Sequence, residues 1–240
     1  MEVPYFTQDN PGKSVIMLGN EAIARGILEA GTIIGAGYPG TPSSEILKTL
    51  AQMENYFPHL KLEWSTNEKI ALEIAIAGSM SKVRSVACMK HVGVNVAADA
   101  FMTIAYAGAR GGLVLVSADD PNLYSSQNEQ DNRQYAKFAR IPCLDPADSQ
   151  EAKDFMIMAF DLSEKFDTPV MLRLTTRVCH TSSPVELAEE PQHSREVSKY
   201  PRNFSKYVMV PVNARKRHSH IEQRIDLLSK FAESYQLNKI

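Results

Sequence analysis

The sequence predicts an α/β domain: a mainly parallel sheet flanked by helices on both faces, with a helical extension at the C-terminal end. Two observations carry this expectation. From Ser14 to about Thr176, short apolar runs alternate with longer amphipathic segments, the order that builds strand–helix–strand units. Most of the short runs are apolar at consecutive positions, as strands are when helices cover both of their faces.

The strand-like runs are Val15–Leu18, Thr32–Ala36, Leu62–Ser65, Ser85–Met89, Leu113–Ser117 and Val170–Leu174. Leu62–Ser65 is short and mixed in polarity, so its pattern is the weakest. Helical spacing falls near Glu21–Glu29, Pro42–Glu54, Asn67–Ser81, Val94–Ala107 and Ala147–Phe166. Gly31 is placed to end the first helix, where a left-handed residue is favoured. Thr41-Pro42 sets a capping hydroxyl before a proline at the first helical position. Ser65-Thr66-Asn67-Glu68 fits a capping box. With right-handed crossovers, the ligand crevice lies beyond the carboxyl ends of the strands.

After Arg177 the pattern changes. Residues 182–212, with Ser182-Ser183-Pro184 and Glu189-Glu190-Pro191, read as a linker. Residues 213–240 then hold a basic amphipathic helix over Asn213–Tyr235. Ile221, Ile225, Leu228 and Phe231 share one of its faces. The expected organisation is one domain to Thr181, this linker, and a helix leading toward a further domain.

Composition excludes several classes. A net charge of −2 gives no general attraction to nucleic acid or anionic membrane. Arg215-Lys216-Arg217 is a single basic turn, most simply a solvated face. Cys88, Cys143 and Cys179 lie far apart with no C-x-x-C pair, which argues against a disulfide framework or a cysteine-bound cluster and fits reduced thiols in a cytoplasm. The polar segment Met1–Gly12 has no apolar core of a signal peptide. Ile70–Ala77 and Leu113–Val116 are too short to cross a bilayer.

Several segments could carry chemistry. Gly35-Ala36-Gly37-Tyr38-Pro39-Gly40 matches G-x-G-x-x-G after a strand. Pro39 holds Tyr38 extended, so the helix cannot begin inside the motif as a dinucleotide site requires. The alternative is a glycine turn that lets backbone approach a ligand or a helix. Lys90-His91 ends a buried strand before Gly93 and Asn95, the strand-to-helix junction where α/β sheets bind ligands. A lone histidine is as often structural as ligand-contacting. The polar loop Ser117–Arg133 is long enough to suggest function. Glu68 reads from spacing as a capping residue.

Tyr38-Pro39-Gly40-Thr41-Pro42-Ser43-Ser44 resembles the Y-P-[IG]-T-P-S-S motif of 2-oxoacid:ferredoxin oxidoreductases. Glu63–Lys69, Met89–Gly93 and Ser126–Asp131 resemble the indolepyruvate branch of that family. The similarity is collinear from about Leu18 to Thr181. It implies the pyrimidine-binding domain fold of thiamine-diphosphate enzymes, with Glu68 hydrogen-bonding the aminopyrimidine nitrogen as the catalytic carboxyl group. It places Gly40, Thr41 and Asn95 toward the cofactor, and Tyr38, Thr41, Lys90, His91 and Asp119 toward the substrate. Glu73, on the same helix, stands at the wrong motif position. Pyruvate-specific relatives place an arginine near Asp119 to grip the substrate carboxylate. Asp119-Asp120 cannot do that, so Lys90, His91 or backbone N–H groups must, and a bulkier aryl 2-oxoacid fits. The family's G-D-G diphosphate segment, its Mg²⁺-binding asparagine and its cluster cysteines are not found in this sequence. The resemblance therefore implies partners: a diphosphate-binding domain or subunit, a beta subunit with [4Fe-4S] clusters in the complex, ferredoxin, and an oligomeric assembly, with the chain inactive alone. No metal site is expected on this chain. Two alternatives stay open: a subunit of another thiamine-dependent 2-oxoacid decarboxylase, and a non-catalytic assembly module of the same fold.

Overall fold

The computed structural model describes residues 4–8, 10–189, 197–236 and 238. In chain order the elements are β1 (Ser14–Leu18), α1 (Gly19–Glu29), β2 (Ile34–Gly37), α2 (Ser44–Met53), β3 (Lys61–Trp64), α3 (Glu68–Met80), β4 (Ser85–Lys90) and α4 (His91–Ala107). Then follow β5 (Leu113–Asp119), α5 (Arg133–Ala139), β6 (Cys143–Leu144), α6 (Ser149–Phe166), β7 (Val170–Thr175), α7 (Thr176–His180), β8 (Ser182–Glu186), α8 (Phe204–Tyr207) and α9 (Pro211–Ser234). Six strands form one wholly parallel sheet in the order β3-β2-β4-β5-β7-β6.

The middles of the central strands are apolar at consecutive positions because alternate residues serve different layers. Val86, Cys88, Val114 and Val116 join Ile23, Leu50 and Phe160 of α1, α2 and α6. Ala87, Met89, Leu113 and Leu115 join Leu72, Phe101 and Ala136 of α3, α4 and α5. Gly31 ends the first helix at φ +68°, as expected from its position.

The structure corrects the sequence reading at several points. The run Val15–Leu18 is a strand outside the parallel sheet. It pairs antiparallel with β8, Leu18 opposite Ser182 and Ser14 opposite Glu186. The expected linker therefore opens with a strand. An apolar run shows neither which strand it pairs with nor that both faces are covered: in β1 only Met17 is buried and Ile16 is exposed. Behind this pair, buried Arg25 donates to Gln8 O (2.9 Å) and Ala188 O (2.8 Å) and pairs with Glu29, which also holds Lys153 at 2.9 Å. The arms on either side of the domain are thus tied to α1 and α6. Residues 190–196 of the expected linker, and 1–3, 9, 237, 239 and 240, lie outside the described residues.

Two expected caps shift. Helix α2 starts at Ser44, behind a cis Thr41-Pro42 bond, so Thr41 is not its cap. Asn67 rather than Ser65 caps α3, its side chain accepting from Ile70 N–H at 3.0 Å. Helix α4 begins at His91, earlier than its apolar spacing suggests. The short α5 and β6 were not visible as periodic segments.

Helix α9 is packed onto the domain. Ile221 is buried, and Ile225, Leu228 and Phe231 line a cavity of about 640 Å³ with Leu144, Phe155 and Met158. Arg217 of the basic run is buried, contrary to a solvated face. It donates to Tyr106 O (2.8 Å) and pairs with Asp167 (3.2 Å). Arg224 reaches Asp167 O (3.0 Å) and Ala105 O (2.9 Å). These carbonyls end α6 and α4, where the helix dipole and unsatisfied C=O groups attract cations.

Candidate functional site

The sheet order reverses between β2 and β4, and the carboxyl ends of these strands open the crevice in which α/β sheets hold ligands. Four segments reach this edge: the turn after β2, the start of α3 after β3, the start of α4 after β4, and the loop after β5.

Glu68 is the first residue of α3, set beyond the cap Asn67. It is half-buried, and among the described residues its carboxylate has no hydrogen-bond or ion partner. It lies across the first turn of α4. A Cβ on Gly93 would stand 2.6 Å from Glu68 Cγ and 2.7 Å from Oε1, so this approach requires glycine. Gly93 was not among the expected site residues. A glycine early in a helix costs about 1 kcal/mol against alanine, and that cost is the signal that could have found it.

The glycine turn holds backbone close to the neighbouring strand, as the non-dinucleotide reading requires. A Cβ on Gly40 would lie 3.0 Å from Lys90 Cβ. Gly40 N–H donates to Ser44 Oγ (2.9 Å), Gly40 O accepts from Ser43 Oγ (2.9 Å), and buried Asn20 donates to Pro42 O (2.7 Å). This bracing leaves Tyr38 and Thr41 exposed at the mouth. Asn95 is exposed on α4 and accepts from Tyr135 OH.

The loop after β5 folds back and is anchored from beneath. Lys90, buried at the end of β4, donates to Ser125 O at 2.7 Å. His91 is fully buried, with Nε2 3.1 Å from Asn128 O. A carbonyl only accepts, so Nε2 carries the proton. Asn132 donates to His91 O (3.0 Å) and Ser117 Oγ (2.8 Å). Asp119 is fully buried, accepting from Arg173 Nε (2.9 Å) and Asn132 N–H (3.1 Å). Burial raises its pKa above the usual carboxylate value against the pull of Arg173.

Two residues expected toward the substrate are enclosed here. His91 and Asp119 have no exposed surface, and His91 Nε2 and Asp119 Oδ2 meet the loop. Polarity alone could not show that the loop closes over them. The neighbouring Asp120, not singled out from sequence, is nearly fully buried and accepts from Ser125 N–H (2.8 Å), Ser126 Oγ and Thr176 Oγ1 (2.9 Å). Burial opposes its ionisation, but these donors and nearby Lys90 prevail and hold its pKa at about 2. Among the described residues no group of His, Cys, Asp or Glu is placed to hold a metal ion, and no helix is long and apolar enough to cross a membrane.

Comparison with known proteins places this geometry. The model of the thiamine-diphosphate-binding domain of pyruvate flavodoxin/ferredoxin oxidoreductases matches residues 25–227. The chain is 46% identical over 239 residues to indolepyruvate oxidoreductase subunit IorA of Archaeoglobus fulgidus, covering 96% of this chain and 38% of that protein. It is 46% identical over 231 residues to the subunit of the same name from Pyrococcus horikoshii, covering 95% and 35%. Ketoisovalerate oxidoreductase subunit VorB of Methanothermobacter thermautotrophicus is 27% identical over 185 residues, covering 74% and 52%. The fold matches that of 2-oxoglutarate:ferredoxin oxidoreductase from Magnetococcus marinus with a TM-score of 0.69 at 13% identity, over 93% of this chain and 46% of that one. The chain thus spans well under half the length of the IorA proteins it matches. With the match covering the crevice, Glu68 and the anchored loop, the chain belongs to the pyruvate flavodoxin/ferredoxin oxidoreductase family, as its thiamine-diphosphate-binding domain.

Proposed function

We propose that this chain supplies the pyrimidine-binding part of a thiamine-diphosphate-dependent 2-oxoacid:ferredoxin oxidoreductase acting on indolepyruvate or another aryl 2-oxoacid. The observation that carries the proposal is the unpartnered, half-buried carboxyl group of Glu68, laid against the bare backbone of Gly93 at the sheet's switch point. A carboxyl group so placed fits the ring nitrogen of an aminopyrimidine.

Bound thiamine diphosphate supplies the electron sink for decarboxylation. Glu68 holds a proton at the pyrimidine ring nitrogen, in a setting where α3 and α4 restrict water. Gly40 and Thr41 border the cofactor from the turn after β2, and Asn95 from α4. With His91 and Asp119 enclosed, Lys90 is the cation left at the crevice floor to meet the substrate carboxylate. Tyr38 stands exposed at the mouth, beside an aryl group entering the crevice.

The complete reaction converts the 2-oxoacid and coenzyme A to acyl-CoA and CO₂, with two electrons passing to ferredoxin. It requires a diphosphate-binding domain with Mg²⁺, a beta subunit and [4Fe-4S] clusters, assembled in a cytoplasmic oligomer. The test is ferredoxin reduction by the purified complete complex. Reduction dependent on both indolepyruvate and coenzyme A supports the proposal. A complex that binds thiamine diphosphate but turns over no aryl 2-oxoacid contradicts it.

A further inference from the structure

Lys90, the last residue of β4, and Asp120, the residue after β5, are both buried at the floor of the crevice, where Lys90 stands opposite Ala118. Ser125 lies between them. Its carbonyl accepts from Lys90 Nζ at 2.7 Å, and its N–H donates to Asp120 Oδ2 at 2.8 Å. One peptide segment is thus gripped from both sides by opposite charges. Asp120 is fixed in turn from a third element, because Thr176 at the start of α7 donates to Oδ1 at 2.9 Å. Ser126 Oγ completes the set on Oδ2.

The arrangement is more elaborate than loop anchoring requires. His91 and Asn132 already fasten the loop at Asn128 and at the His91 carbonyl. A lysine ammonium has three donors, and Ser125 O takes one of those of Lys90; no carboxylate lies within ion-pair distance of it among the described residues. The stem of Lys90 is confined as well. It runs beside Gly40, whose missing Cβ gives it room. Asp120 supplies a nearby negative charge without occupying the ammonium, since its own oxygens are taken by Ser125, Ser126 and Thr176.

We propose that Asp120, braced by Thr176, is a positioning residue that holds Ser125 and through it keeps Lys90 aimed, so that the free donors of Lys90 receive the carboxylate of the 2-oxoacid. The inference rests on the functional reading above and names how that site selects an acid. Asp119, although adjacent in sequence, belongs to the separate Arg173 pair and does not share this task. Specificity for a carboxylate is then set by three places at once: the end of β4 carries the cation, the residue after β5 its buried counter-charge, and the start of α7 the brace.

The experiment uses the complete complex and two unreactive probes, indole-3-propionate and its neutral amide. In the wild type the acid binds more tightly than the amide by roughly tenfold, the scale of a charge-assisted hydrogen bond. Lys90→Met abolishes that preference. Asp120→Asn reduces it severalfold, raises KM for indolepyruvate in parallel, and leaves kcat within about twofold, the pattern of lost binding. The double variant shows no further loss beyond Lys90→Met, because both act through one group. Thr176→Val, a milder change, shows a smaller loss of the same kind and covers the case in which Asp120→Asn fails to fold. A folded Asp120→Asn or Thr176→Val complex with the full acid preference overturns the inference. So does a loss in the double variant equal to the sum of the single losses. In either case, intact wild-type turnover of indolepyruvate leaves the functional reading standing, whereas a wild type without that turnover removes the reading itself.

Discussion

At the scale of single residues, the two adjacent aspartates respond to burial in opposite ways. Asp119 meets one guanidinium and one N–H, and burial prevails, raising its pKa. Asp120 meets three donors and a nearby lysine, and its pKa falls to about 2. An unfolded aspartate titrates near 3.9. Asp120 therefore contributes stability that is complete above pH of about 4 and lost as pH falls toward 2. Asp120→Asn should lower the melting temperature at pH 6, and the gap from wild type should close between pH of about 4 and 2. Melts of both proteins across that range check it, and a gap that persists at the acid end contradicts it. At this scale the sequence was only partly legible. Glu68, Lys90 and the glycine turn lie at the carboxyl edge of the sheet. The enclosure of His91 and Asp119 was not legible, because burial by a returning loop is a tertiary event that local polarity does not encode.

At the scale of elements, the junction before α3 separates two roles that spacing alone had merged. Asn67 caps the helix, while the Ser65 hydroxyl is buried without a partner. Asn67→Ala should cost about 1 kcal/mol, a melting shift of roughly 2–4 °C for a domain of this size. Ser65→Ala should be neutral or slightly stabilising, since it removes an unsatisfied buried hydroxyl. Comparative melts distinguish these, and the reverse ranking would restore Ser65 as the cap. The facing first turn of α4 gives a second expectation. Gly93→Ala should leave the melt nearly unchanged, because alanine favours the helix. It should weaken thiamine-diphosphate binding by the complete complex on the order of tenfold, because the new Cβ displaces Glu68. The central strands were legible because Val86–Met89 and Leu113–Val116 are apolar on both faces. Strand β8 was not, since Ser182-Ser183-Pro184 is polar and is held by pairing with β1. The strand β6 has two residues, too few for any period to register.

At the scale of the whole molecule, α9 belongs to the same packed body as the sheet, with buried arginines seated on the ends of α4 and α6. Burial lowers the pKa of Arg224 to about 10 against the attraction of Asp167, and its guanidinium donates to the carbonyls of Asp167 and Ala105. Arg224→Met should leave those carbonyls unpaired and cost on the order of 2–3 kcal/mol, with faster amide exchange along α9. Unchanged exchange would show that the apolar face alone holds the helix. The shared face of Ile221, Ile225, Leu228 and Phe231 was visible in the sequence. The arginine seats were not, because they depend on where two other helices end.

The central claim joins these scales: fold, junction and glycine cradle present one carboxyl group to a thiamine cofactor. Hydrogen–deuterium exchange at the thiazolium C2 position, measured in the complete complex with wild-type and Glu68→Gln chains, tests it most directly. Glutamine preserves shape and helix start, so the melting temperature should change little, while exchange should slow on the order of a hundredfold, the scale of a lost acid–base group. Wild-type exchange in a folded Glu68→Gln complex would contradict the account.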